Sequence, residues 1–393
     1  MNTQANQRWQ LPEGMDELLP EQAFAVENLR RAIFDLHVGW GYQPVQPPMV
    51  EFLDSLLSTA GKDFDRHTFK VADPRSGRML GIRADMTPQV ARIDAHQLGG
   101  QGISRLFYMG TVVRAFSDSS DHSRSPIQLG AELFGHNGIA SDTEIIRLML
   151  ATLGHAGLKN IHLDLGHVGI FRNLVERLEL ASTDQAALFD LLQRKAESDL
   201  ASLAGSLGIG SRNQEILVEL CTLNGDESVL ERAEKLLGGY GDGMMQSIAT
   251  LRSIGQALSP VSGKTTVHYD LAELRGYHYH SGVVFAAYLP DLGSEIARGG
   301  RYDGIGQEFG RSRPATGYST DLKSLLRVID TPVVSGIENA ILAPDNPSLH
   351  LQATIEQLRA SGEIVIVDLD TNQPQHFSRV LREQSGKWSV EKR

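Results

Sequence analysis

Apolar positions recur along this chain with two periods, one helical and one extended. After Pro20, Val26, Leu29, Ile33 and Leu36 fall three, four and three residues apart, the spacing of one helical face, and Gly39 and Gly41 close the run. Pro20 suits the start of that helix. Pro44, Pro47 and Pro48 around Val45 and Met49 make the next stretch extended and edge-like. Thr68 to Val71 and Arg78 to Arg83 flank Asp73-Pro74-Arg75-Ser76-Gly77, a hairpin by its turn chemistry. Thr87-Pro88 predicts a helix start, with Thr87 as N-cap and Pro88 as first helical residue.

Arg105 to Ala115 and Ile127 to Gly135 read as two strands joined by a polar loop, Phe116 to Pro126. Side chains alternate along a strand, so Ile127, Leu129, Ala131 and Leu133 share one face. Gln128, Gly130 and Glu132 share the other, with Gln128 and Glu132 about 13 Å apart at roughly 3.3 Å per residue. Ser141 or Asp142 can cap a helix carrying Ile145, Ile146, Met149 and Leu153, closed by Gly154 or Gly157. From about 182 to 259 the chain is helix-like, rich in Leu and Ala. Val267 to Asp270, Tyr277 to Leu289 and Ser294 to Arg298 read as strands, and Gly317 to Val328 as a strand running into a helix. Beyond Thr331, Leu351 to Leu358 is helical, Glu363 to Leu369 a buried strand and Phe377 to Arg382 helical. No internal repeat and no regular βαβ alternation occur. The expected class is α+β: a mostly antiparallel sheet with flanking helices, a helical insertion and a small C-terminal α/β unit.

Composition narrows the class of protein. The 393 residues carry 37 Lys/Arg and 48 Asp/Glu, a net charge of −11, and 41% are hydrophobic. That supports an ordinary packed core and excludes collagen-like or wholesale disordered chains. No apolar run approaches the roughly 18–20 residues of a membrane helix, and Met1 to Gln10 lacks a secretory apolar stretch. A single cysteine, Cys221, excludes an internal disulfide or a Cys-based zinc site. A cytoplasmic protein without a membrane partner is expected. The acidity argues weakly against a nucleic-acid partner, which needs a local basic surface.

The candidate chemistry is not metal or nucleotide chemistry by motif. His278 and His280 would share a face on a strand, but no ligand set of metal spacing accompanies them, and walls of a pocket is the plainer reading. No GxxxxGK[ST] and no GxGxxG occurs. More informative are Arg83, Asp85, Arg114, Gln128, Glu132, Arg275 and Arg301, all placed on or beside predicted strands. Such groups are kept on a sheet face only when paired or functional, so a structural ion-pair network and a binding site both remain open. Gly299-Gly300-Arg301-Tyr302 follows a strand and allows close backbone approach.

The order of these residues resembles the histidyl-tRNA synthetases. Arg105-Leu-Phe-Tyr-Met-Gly110 through Arg114 to Gln128-Leu-Gly-Ala-Glu132-Leu-Phe-Gly135 is similar to that family's second signature motif, in register and without gaps. Ile82 to Thr87 resembles LRPEgT, Arg275 to His280 resembles RGLDYY, and Ala297 to Gly304 resembles AGGRYDGL. Pro12-Glu13-Gly14 to Leu19-Pro20 resembles the opening PxGxxDxLP, and the match spans about 11–330. The resemblance implies a class II aminoacyl-tRNA synthetase-like fold, a six- to seven-stranded antiparallel sheet, a dimer through the N-terminal region and a pocket for free histidine. By position, Asp85, Thr87 and Gln128 would hold the α-amino group, and Arg114 and Arg275 would lie near the carboxylate. Glu132 would face the imidazole, with Tyr279 and Tyr302 lining the pocket. A zwitterion needs an opposite, desolvated partner at each end.

The departures from the pattern matter as much. The glutamate of FRxERPQxGRxREFxQ falls on Phe116, and Asp118 and Asp121 add negative charge where a triphosphate would lie. The third motif, GFxxGLERL, becomes Gly317 to Leu325, with Lys323 for its glutamate and Ser324 for its phosphate-binding arginine. RGLDYY has His278 for Asp and His280 for its last Tyr. A charge-assisted contact is worth roughly 1.5–3 kcal/mol, so losing two or three weakens ATP and transition-state binding on the order of 10³–10⁵-fold. This combination resembles the regulatory subunits of ATP phosphoribosyltransferase. That resemblance implies a non-catalytic chain with no cofactor and no tRNA. It would activate the short catalytic subunit in a hetero-octamer of four and four chains, and transmit feedback by histidine in the first step of histidine biosynthesis. An active histidyl-tRNA synthetase and a free-standing histidine-binding module are the alternatives. The expected domains are 11–330, with the insertion at about 182–259, and 331–393. The latter holds six Lys/Arg against eight Asp/Glu and is shorter than the roughly 90–100 residues of the family's usual anticodon-binding domain; its acidity gives no basic stripe for RNA phosphates.

Overall fold

The computed structural model describes residues 9–57, 62–116, 123–258, 265–277, 279–290, 292–307, 309–329, 339–369 and 377–392. The stretch with Asp118 and Asp121, and His278, lie outside the described residues. The chain divides into two units, residues 1–16 with 29–329 and residues 17–28 with 330–393. Among the described residues no helix is long and apolar enough to cross a membrane.

The strands of the first unit are β1 (Gln43–Pro44), β2 (Val50–Phe52), β3 (Phe69–Ala72), β4 (Met79–Ile82), β5 (Ser104–Thr111) and β6 (Ile127–Phe134). They continue as β7 (Ile161–His167), β8 (Asn224–Gly225), β9 (Thr265–Asp270), β10 (Val283–Tyr288), β11 (Glu295–Arg301) and β12 (Ala315–Asp321). Nine of them form one sheet in the order β1-β5-β6-β12-β11-β10-β7-β9-β8. The β1–β5 and β7–β9 pairs are parallel and the rest antiparallel. β2, β4 and β3 form a small separate sheet containing the expected hairpin. The α+β class is as expected, but the sheet has nine strands rather than six or seven, because the two-residue strands β1 and β8 extend its edges, and two of its pairs are parallel.

The pleat sorts β6 as its sequence predicts. Leu129, Ala131 and Leu133 enter the core beneath the helix Ile139–His155, packed with Ile145, Ile146, Met149 and Leu153. On the opposite face a second cluster gathers Met86, Val90, Leu106, Tyr108, Phe134 and Tyr302. Gln128 and Glu132 are buried on that second face.

Several local expectations are corrected. Thr87 is the first helical residue rather than the cap, because its hydroxyl is bound to the Tyr108 hydroxyl at 2.8 Å and Asp85 Oδ1 takes the Thr87 amide at 2.8 Å. Neither Ser141 nor Asp142 caps the helix Ile139–His155, whose N-cap is Gly138. Both side chains bind Arg301 instead, Asp142 at 2.9 Å and Ser141 at 2.8 Å. The strand expected over Tyr277 to Leu289 begins only at Val283, since the chain before it turns at residues 275–277, with Gly276 at φ 67°. His280 is therefore not on a strand, and its expected partner His278 lies outside the described residues. Residues 158–181, to which the periodicity assigns nothing, form β7 and the helix Val168–Leu178. The helical insertion consists of Ser182–Gln193, Glu197–Ser206, Ser211–Thr222, Ser228–Leu237 and Asp242–Leu258, with β8 between the third and fourth.

The C-terminal unit contains β13 (Ile341–Pro344), β14 (Val365–Asp368), β15 (Arg379–Gln384) and β16 (Lys387–Lys392) in the order β14-β13-β15-β16. The helix Leu349–Ala360 packs Leu351 and Ile355 against Ile341 and Val365. The helix expected over Phe377 to Arg382 is a strand. Ser385 and Gly386 take φ of 51° and 76°, the two positive values of a tight hairpin turn, and pair β15 with β16.

Arg301 illustrates the structural reading of a charged strand residue: it and Asp142 are both buried and joined by two contacts, at 2.9 and 3.1 Å. Removing one partner of such a pair strands the other charge, at about 3–5 kcal/mol. Arg301→Met should lower the urea-unfolding free energy by that amount, and Arg301→Met with Asp142→Asn should recover part of it; an unchanged midpoint in the single variant would contradict this role.

Candidate ligand site

The second face of the sheet is built around one buried carboxyl. Glu132 leaves β6 on the side of Tyr108 and Tyr302, and both phenols donate to it: Tyr108 to Oε1 at 2.9 Å, Tyr302 to Oε2 in a shorter contact. Room for this arrangement comes from glycines. A Cβ at Gly317, directly opposite Glu132 on β12, would overlap its carboxylate, and one at Gly130 would overlap the Tyr108 ring. Burial pushes Glu132 up to about 8, against the hydrogen bonds from Tyr302 and Tyr108 that pull it down. The Tyr302 ring stacks on Tyr279 at 5.1 Å between centroids. The Tyr279 hydroxyl lines the cavity and is buried with no hydrogen-bond partner among the described residues, so water or a ligand in the cavity can satisfy it.

A second group fixes the entrance side. Gln128 Nε2 donates to Asp85 Oδ1 at 2.8 Å while its Oε1 accepts the Met86 amide at 2.9 Å. Asp85 is thereby held at the N-terminus of the short helix Thr87–Arg92. Asp85, Thr87, Glu132, Tyr279 and Tyr302 line one cavity of about 540 Å³, closed also by His280, Phe285 and Gly317. Burial drops the His280 ring to about 4, so it is neutral at pH 7 and can donate Nδ1–H to the Arg301 carbonyl at 3.3 Å.

The two predicted arginines divide between this cavity and its neighbour, and Gln128 lines only the neighbour. Arg275 borders the cavity, but Glu273 holds its guanidinium at 2.5 Å and Glu295 and Tyr288 take its other hydrogens. Arg114 lines an adjoining cavity of about 620 Å³ with Gln128, Arg298, Asp321 and Ser324, and its Nε donates to the Ala84 carbonyl at 3.4 Å. Arg83 is buried and binds the Thr111 and Pro47 carbonyls at 3.0 and 2.6 Å, so it is structural. The sequence singles out Gly299, as a place of close backbone approach, but not Tyr108, Gly130 or Gly317; Tyr108 reads there as one apolar residue in a strand. A Cβ at Gly299 would overlap the Gly317 carbonyl and the Phe285 ring.

Where the synthetase pattern departs, the structure has rebuilt contacts. Lys323 is buried and its Nζ reaches Asp16 Oδ1 at 2.8 Å. The Ser324 hydroxyl donates to Asp321 Oδ2 at 2.8 Å, and Asp321 caps the helix Leu322–Arg327. Phe116 is exposed with Arg66 over its ring at 5.2 Å.

Comparison with known proteins follows the same division. A family model described as histidyl-tRNA synthetase matches residues 14–325, and one described as the ATP phosphoribosyltransferase subunit HisZ C-terminal domain matches residues 338–391. The ATP phosphoribosyltransferase regulatory subunit of Thioalkalivibrio sulfidiphilus is 49% identical over 92% of this chain and 91% of its own length. That of Methylococcus capsulatus is 49% identical over 98% and 96%. Among solved structures, an ATP phosphoribosyltransferase regulatory subunit/histidyl-tRNA synthetase from Bacillus halodurans superimposes with a TM-score of 0.82 at 26% identity, covering 93% of this chain and 94% of that one. A histidyl-tRNA synthetase from Nostoc shares the fold at a TM-score of 0.77 and 17% identity, over 98% and 97%. On these matches the chain belongs to the ATP phosphoribosyltransferase regulatory subunits, which are built on the histidyl-tRNA synthetase fold.

Proposed function

We propose that this chain is the histidine-sensing, non-catalytic subunit of ATP phosphoribosyltransferase, binding free histidine in the 540 Å³ cavity. The observation that carries the reading is the buried Glu132 between two phenols, with the Tyr279 hydroxyl beside it lacking a partner. One imidazole nitrogen can share the Glu132 proton while the other meets the Tyr279 hydroxyl. Apolar analogues would leave those buried groups unpaired, which is a strong basis for rejection. Asp85, Thr87 and Gln128 form the α-amino end. Arg114 is the candidate for the carboxylate end, whereas Arg275 acts there only if it exchanges Glu273 or Glu295 for the ligand.

The positions that would grip a triphosphate support a non-catalytic role. Lys323 is engaged with Asp16, and Ser324 with Asp321. The remaining functions fit this division: activation of the short catalytic subunit, feedback by histidine, dimers assembled into a cytoplasmic hetero-octamer of four and four chains, and no tRNA partner. The last is supported by charge, since residues 182–258 hold six Lys/Arg against eleven Asp/Glu and give RNA no basic surface. Co-purification with a short phosphoribosyltransferase, followed by mass determination, tests the assembly. Recovery of this chain alone would favour a free-standing histidine-binding module, and rapid histidyl-AMP formation from ATP and histidine would favour an active synthetase.

Two predictions concern the pocket. Below about 8 the empty Glu132 holds a proton and can share it with a neutral ring, whose ordinary value is about 6.5. Above about 8 the free carboxyl is ionised, and restoring the shared proton requires uptake from solvent. The ratio of wild-type to Glu132→Gln histidine affinity should therefore stay level from pH 6.5 to 8 and fall up to tenfold per unit above that, measured by calorimetry; a ratio that climbs through pH 8 would mean the ionised carboxylate accepts from a neutral ring. In the assembled complex, Glu132→Ala should reduce histidine sensitivity by at least the roughly 5–150-fold typical of coupled sites. Full sensitivity would place inhibition elsewhere.

A further inference from the structure

The helical insertion is fastened to the loop that closes the ligand cavity, at three separate points. The first is aromatic. Tyr277, two residues before Tyr279, packs between Phe189 of the insertion helix Ser182–Gln193 and Phe171 of the helix Val168–Leu178, with centroids 5.4 and 5.2 Å away. Arg172 covers the Tyr277 ring at 5.5 Å and donates to the His280 carbonyl at 3.1 Å, which pins the loop's far end. The second is ionic. Lys195, just past that insertion helix, binds Asp270 Oδ2 at 2.7 Å, while Asp270 Oδ1 accepts the Ala272 amide at 3.0 Å and so shapes the loop's first turn. The third is backbone pairing. β8, which follows the insertion helix Ser211–Thr222, pairs with the end of β9, and the Leu271 amide donates to the Leu223 carbonyl at 3.0 Å. Phe189 and Gln193 also line the cavity itself.

Loop 271–280 thus carries the ligand-facing Tyr279 on one side and insertion contacts on the other. A short loop of turns has few conformations that satisfy both sides, so fixing one side restricts the other. Ordering by ligand and ordering by the insertion then add to each other, and the coupling is reciprocal. We infer that Phe189 and Lys195 are positioning residues for the ligand pocket and that the insertion is the element through which pocket occupancy is transmitted. This rests on the reading of the cavity as a histidine pocket. It extends that reading by naming an insertion residue, Phe189, as part of what sets affinity, and the insertion helices as what responds.

The test uses the full chain with free histidine. Phe189→Ala should weaken histidine binding at least fivefold by calorimetry, and Phe189→Tyr, which keeps the ring, should restore it. Leu237→Ala empties a buried position in the insertion helix Ser228–Leu237, none of whose residues lines the cavity; it should lower the melting temperature with histidine affinity unchanged. In the wild type, histidine should slow amide exchange in Ser182–Gln193 and Ser211–Thr222, and Lys195→Met should reduce that slowing, which decides the matter if Phe189→Ala does not fold. Wild-type affinity in Phe189→Ala, an equal loss in Leu237→Ala, or exchange in the insertion helices indifferent to histidine would overturn the inference. Absence of histidine binding by the wild type would overturn the pocket reading and, with it, this one.

Discussion

A carboxyl group buried on the face of a sheet is the constraint around which this molecule is arranged. Taking Glu132 out of water costs several kcal/mol unless its oxygens are satisfied. The fold meets that cost with two phenols, and Tyr108 and the carboxylate itself each need space that only glycine leaves. Gly130 clears a path for Tyr108 along β6, and Gly317 clears the carboxylate from β12. The strand order follows from the same need. β12 lies beside β6, and the turn after β11 delivers Tyr302, while the insertion lies between β7 and β9 and contributes β8 at the far edge of the sheet.

The same sheet shows how one residue type serves two purposes. Arg301, Arg83 and Arg313 are buried and fully engaged by carboxylates or carbonyls: Arg301 by Asp142, Arg83 by Thr111 and Pro47, Arg313 by Asp94 at 2.7 and 2.9 Å. They fasten the sheet to its neighbours. The groups around the cavity are satisfied differently. Gln128 and Asp85 hold each other and the backbone, whereas the Tyr279 hydroxyl has nothing to hold. Burial alone does not separate a structural charge from a binding group; the position of the Tyr279 hydroxyl on a cavity wall is what distinguishes it.

The sequence made the core strands legible because their faces alternate strictly: Leu129, Ala131 and Leu133 against Gln128, Gly130 and Glu132. It also made the cavity-lining Asp85, Thr87, Glu132, Tyr279 and Tyr302 legible through motif order. What it hid had physical reasons. Asp142 reads as a helix cap because the cap's partner is normally local, but its true partner is Arg301, 159 residues away. Thr87 reads as a cap because its hydroxyl's engagement with Tyr108 is a tertiary fact. The β15–β16 hairpin is carried by two positive φ values at Ser385 and Gly386, and serine gives little warning of such a conformation. Arg275 reads as a ligand contact because its anionic neighbours Glu273 and Glu295 belong to a turn and an adjacent strand.

An enzyme and a sensor ask different things of one pocket. Catalysis depends on contacts that strengthen only in the transition state, while sensing depends on contacts made in the ground state. On the proposed reading, these two sets lie in adjacent cavities that share Asp85, Arg275, Glu295 and Arg298. The contacts of Glu132, Tyr302 and Gln128 belong to the ground-state set and stand in a rigid sheet. The triphosphate set stood at the start of the helix Leu322–Arg327, where Lys323 and Ser324 now make internal bonds to Asp16 and Asp321. Exchanging a ligand-facing charge for an internally satisfied one removes a buried group that would otherwise need a partner, so surrendering that chemistry need not destabilise the fold. The cavity around Glu132 has no such freedom. Replacing Glu132 would leave two buried phenols and the glycine-lined space at Gly130 and Gly317 without their reason, so packing and recognition constrain the same residue.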